Sequence, residues 1–102
     1  MITIKFTEKP DYLRVEAKGH SLFEKKGKDI ICASVSVLLQ SWPVWEKELA
    51  GVNTRIESKN GYFNAIINGL NEKALLFFYA LRLSLEILET QYPENIKILR
   101  EG

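Results

Sequence analysis

The sequence predicts an α+β domain: elements in the order ββαββαβ, a mostly antiparallel sheet, and two helices packed on one face of it. Three observations carry this. Residues 2–7 and 13–18 alternate apolar and polar with period two, as half-buried strands do. Asn60-Gly61 separates two strand-like runs and is a dipeptide preferred in tight hairpin turns. Two longer stretches, beginning near residues 30 and 72, repeat their apolar residues at steps of three and four. There is no linker, repeat or low-complexity tract, so residues 1–102 are expected to form a single domain.

Along the first strand Ile2, Ile4 and Phe6 share one face, with Thr3, Lys5 and Thr7 on the other. Glu8-Lys9-Pro10-Asp11 turns the chain, because proline fixes φ where a turn needs it. Leu13, Val15 and Ala17 then alternate with Arg14, Glu16 and Lys18, and the second strand ends at Gly19. That glycine marks either a sharp turn or a close approach. Residues 21–28 form a loop with Phe23 as its aromatic, Gly27 as its glycine, and lysines at 25, 26 and 28.

The first helix begins near Ile30, and Ile31, Val35, Leu38, Trp42, Trp45 and Leu49 define its expected buried stripe. Pro43 lies inside it and predicts a kink or break around Ser41–Pro43, because it cannot donate to Leu39. Gly51 stops the helix. In the hairpin a two-residue turn pairs Ser58 with Phe63, Ile56 with Ala65 and Thr54 with Ile67, on the face expected to meet the helices. Asn71 caps the second helix, whose main stripe is Ala74, Phe78, Leu81, Leu85, Leu88 and Tyr92. Leu75, Leu76, Phe77, Tyr79, Leu83 and Ile87 widen the apolar arc beyond one face. Such a helix is either wrapped by its own domain or covered by a partner, most simply a second copy of the chain. Pro93 ends it, and Ile96–Arg100 read as a final strand.

The formal net charge is +1, which gives no overall reason to expect nucleic acid or a membrane surface as partner. The N-terminus does not read as a signal peptide, and the most apolar run, Ala74–Leu81, is too short to span a bilayer. One cysteine excludes an internal disulfide and suits a reducing cytoplasm. One cysteine and one histidine do not complete a zinc shell, and no phosphate-binding or dinucleotide motif is present, so no metal or cofactor is expected.

Chemistry concentrates between Gly19 and Leu38. His20 follows the second strand, Asp29 stands as N-cap of the first helix, and Cys32 falls in its first turn. Free backbone N–H groups and the positive helix end favour a thiolate there, and a nearby histidine supplies a matching base. Ser36, one turn on, is placed to support Cys32 or contact a substrate. Three functions fit this stretch. A protease needs both His20 and Cys32, a redox sensor needs chiefly Cys32, and a non-catalytic dimeric binding module needs neither.

Gly19-His20, eight further residues, then Asp29-Ile30-Ile31-Cys32-Ala33 and Ser36 resemble the signature of the bacterial ribosomal-processing cysteine protease family, Prp. The resemblance extends from the N-terminal Met1-Ile2-Thr3 to the Tyr92-x-Glu94-Asn95-Ile96 segment. It implies His20 as base and Cys32 as nucleophile, with Asp29 beside them. The implied substrate is the N-terminal extension of ribosomal large-subunit protein twenty-seven, cut after paired phenylalanines so that the mature protein can enter the ribosome. It also implies a cytoplasmic homodimer and a substrate loop carrying Ser21, Leu22, Phe23 and Gly27. This loop departs from the family pattern, with Ser21-Leu22-Phe23 where alanine commonly follows the histidine.

Overall fold

A computed structural model describes residues 1–19 and 30–102. The elements are β1 (Ile2–Glu8), β2 (Tyr12–Gly19), α1 (Ile30–Glu48), β3 (Asn53–Lys59), β4 (Tyr62–Asn68), α2 (Glu72–Gln91) and β5 (Ile96–Glu101). They form one sheet in the order β3-β4-β2-β1-β5, antiparallel throughout except where β5 runs parallel to β1. The order ββαββαβ is as expected. No described helix is long and apolar enough to cross a membrane.

The hairpin turn sets the register at one end of this sheet. Ser58, Ile56 and Thr54 lie opposite Phe63, Ala65 and Ile67, as the two-residue turn dictates, and Gly61 supplies the positive φ of 78° that the turn requires. Only half of the accompanying expectation holds. Phe63, Ala65 and Ile67 are buried beneath the helices, whereas Ile56 is 52% exposed and Ser58 is exposed. The reason is position: β3 is an edge strand, and the helical layer does not reach across its full width.

The core is the apolar face of β1, β2 and β4 closed by both helices. Phe6 meets Phe78 edge to face with centroids 5.4 Å apart, and Trp42 meets the same ring at 6.0 Å. Asn71 accepts from the Ala74 N–H at 2.9 Å, capping α2 as predicted, while its Nδ2 donates to the Ala50 carbonyl. Of the predicted α2 stripe, Ala74, Phe78, Leu81 and Leu85 are buried and Leu88 partly so. Tyr92 is not: it is the C-cap and is exposed, because the helix ends at Gln91.

α1 departs from its predicted form in two ways. Of the kink or break expected around Ser41–Pro43, the break is absent, and the helix continues through Pro43. One lost hydrogen bond, at about 3 kcal/mol, is outweighed where the prolyl ring and the adjoining Trp42 are both buried. The buried face is also rotated, running Cys32, Val35, Leu39, Trp42, Glu46. Ile31, Leu38 and Trp45 lie half-buried beside it, and Leu49 is 58% exposed. Tryptophan and proline dominate the packing here, and they turn a carboxylate inward in place of leucine.

Candidate functional site

Gly19 closes β2. Its N–H donates to the Gly61 carbonyl at 3.1 Å, tying the strand end to the hairpin turn. A Cβ at Gly19 would lie 2.8 Å from Ile2 Cα and 2.9 Å from the Met1 carbonyl oxygen. Its φ is not among the positive ones, so close approach, and not a left-handed turn, demands glycine. The residue that precedes His20 is therefore pressed against the start of β1.

α1 places Cys32 in its first turn, third from the start. The side chain is a thiol outside any disulfide, 8% exposed, at the margin of the hydrophobic core. Its neighbours Ile30 and Ala33 are exposed, so core and solvent meet at this turn. Ser36 stands one turn later and is half-buried. The local backbone carbonyl of Ile30 is taken by Ser34 Oγ at 2.8 Å.

α1 runs into β3 through a short connection in which Val52 N–H donates to the Glu46 carbonyl, and α1 packs along β3 and β4. At its far end β3 reaches the Asn60-Gly61 turn, whose Gly61 carbonyl accepts from the Gly19 N–H. His20, Asp29 and the loop residues Ser21, Leu22, Phe23 and Gly27 lie outside the described residues. Among the described residues no group of three His, Cys, Asp or Glu side chains could hold a metal ion.

One buried group escaped the sequence reading. Glu46 is fully buried at the far end of α1, and burial pushes its carboxyl up to about 7. Trp42 Nε1–H, one turn earlier, tempers that shift without meeting hydrogen-bond geometry, and neither group has a hydrogen-bond partner among the described residues. Steps of three and four counted from Cys32, through Val35, Leu39 and Trp42, reach this position, whereas the same steps counted from Ile31 reach Trp45.

Residues 1–97 match the family model described as cysteine protease Prp. A ribosomal processing cysteine protease Prp of Mycoplasma genitalium is 30% identical over 90 residues, covering 84% of this chain and 86% of the relative. One of Bacillus subtilis is 26% identical, covering 94% and 92%. Among solved structures, an essential ribosomal processing protease Prp from S. aureus with a covalently linked product peptide superposes with a TM-score of 0.86. It is 26% identical, and the match covers 99% of this chain and 100% of that one. The S. aureus enzyme with a substrate peptide gives 0.80 at the same identity and coverage.

Proposed function

The chain belongs to the Prp family of cysteine proteases, and from that premise we propose that it removes the N-terminal extension of a ribosomal large-subunit protein with a His20–Cys32 dyad. The observation that carries this reading is the chain's single cysteine, set in the first turn of the long helix that follows, in the chain, the strand leading to His20. His20 takes the Cys32 proton and the thiolate attacks the scissile carbonyl. His20 then passes that proton to the leaving amine, and water hydrolyses the acyl-enzyme. Backbone N–H groups at the start of α1, including that of Cys32, are natural donors to the oxyanion. Asp29 serves as cap and imidazole orienter, Ser36 and Gly19 support the dyad, and Ser21, Leu22, Phe23 and Gly27 contact substrate. The substrate is protein twenty-seven of the large subunit, and trimming it in the cytoplasm permits ribosome assembly.

The same reading includes a homodimer. Leu76, Leu83 and Ile87 are 64%, 59% and 60% exposed, and with Ala80 they form a stripe along the outer face of α2. Apolar spacing of this kind on a solvent face suits burial against a second copy.

Incubating the protein with a peptide spanning the Phe-Phe junction of the extension tests the chemistry, with products read by mass spectrometry. Wild type is expected to cut one bond, while Cys32→Ser and His20→Ala leave the peptide intact. Cleavage that survives Cys32→Ser would overturn the assignment.

A further inference from the structure

Among the described residues, helices cover one face of the sheet and no element covers the other. Alternation puts Thr3, Lys18, Tyr62, Lys59 and Lys97 on the open face, since Ile2, Ala17, Phe63 and Ile96 are buried on the other. The register places these five residues in a single row across all five strands: Lys59, Tyr62, Lys18, Thr3, Lys97. Inter-strand spacings of ~4.8 Å make the row about 19 Å long. It lies one residue from Gly19, the end of β2.

On β1 and β2 the other charges of the open face are paired, whereas Arg55 and Glu57 of the edge strand β3 form no ion pair with a described residue. Lys5 meets Glu101 at 3.0 Å, and Arg14 meets Glu16 at 2.9 Å while donating to Asn64 Oδ1. The row is different. Lys18, Lys59 and Lys97 are exposed and none forms an ion pair with a described residue, and the row itself holds no acid. Lys59 Nζ sits 5.6 Å from the centroid of the Tyr62 ring, whose hydroxyl is anchored to Glu16 at 2.9 Å. A near-neutral chain therefore carries a local comb of cations flanking an aromatic ring.

We propose that this row binds the phosphate backbone of single-stranded RNA, with a base stacking on Tyr62. The proposal is independent of the dyad. Regularly spaced lysines match a repeating anion, and an aromatic ring on an uncovered sheet accepts an unstacked base. An acidic peptide would satisfy the lysines but find no apolar recess in the row. Composition argued against nucleic acid only because folding had not yet segregated the charge.

The test measures fluorescence anisotropy of a labelled oligouridine of about 12 nucleotides with the full chain, between about 50 and about 200 mM salt. Three phosphate contacts predict a log–log salt slope of about −2. Lys59→Glu with Lys97→Glu should weaken binding at least about tenfold and flatten the slope by roughly 1.4, as two lost contacts require. The charge-matched pair Lys47→Glu with Lys73→Glu, on exposed helix positions, should change neither. Tyr62→Ala should weaken binding about fivefold or more, and Tyr62→Phe should not. Circular dichroism checks that each variant is folded. Absent binding at low salt, equal losses in the two charge pairs, or tighter binding to an oligoglutamate peptide would overturn the proposal, the last in favour of an acidic partner.

Discussion

Gly19 shows how a residue can be legible in type and opaque in cause. Its place before His20 was visible in the sequence, but two physical reasons for a glycine were open. The structure selects packing: the missing side chain is what lets β2 lie 2.8 Å, measured from an ideal Cβ, off the Ile2 backbone. Backbone cannot step aside as a flexible side chain can, so Gly19→Ala should cost about 1–3 kcal/mol through overpacking. Thermal unfolding should show it as a lowered midpoint, accompanied by a loss of peptidase activity as the end of β2 is displaced. An unchanged midpoint would mean that β1 relaxes freely. Cys32 was legible for a different reason, since a helix start is a local signal that three or four residues encode. Its burial at 8% was not, because that depends on sheet residues far away in the chain.

At the scale of elements, local chemistry predicted well and tertiary competition did not. Asn60-Gly61 fixed the hairpin register and Asn71 the start of α2, because each device acts within four residues. The rotated face of α1 and its passage through Pro43 depend on how Trp42 fills the space beside Phe78, which no periodicity encodes. The over-apolar α2 was resolved more finely. Its own domain covers Leu75, Phe77 and Tyr79 in part, yet leaves Leu76, Leu83 and Ile87 in solvent. Leu83→Glu should therefore leave monomer stability within about 0.5 kcal/mol. If that stripe is the dimer seam, the same change should weaken association by about 2 kcal/mol, roughly thirtyfold. Sedimentation over a concentration series reads this directly, and an unaltered association constant would move the seam off α2.

For the whole molecule, the strand order β3-β4-β2-β1-β5 is what aligns Lys59, Lys18 and Lys97, residues separated by about forty positions each in the chain. Glu46 bears on global stability, since the core around it gives its carboxylate no hydrogen-bond partner among the described residues. Its carboxyl stands at about 7 in the folded protein against 4.5 for an ordinary one. Between those values the native state holds a proton that the unfolded chain has released. Stability must then fall as pH rises: the penalty is absent below the ordinary value and complete above about 7. The full difference corresponds to about 3 kcal/mol, a large share of a small domain's stability. Glu46→Gln keeps the shape and removes the titration. In urea unfolding across this range, the variant's advantage should grow from near zero in mild acid to about 3 kcal/mol above neutrality. Parallel pH profiles for the two proteins would show that the carboxylate finds solvent or a partner when it ionises, and that the end of α1 opens to admit one.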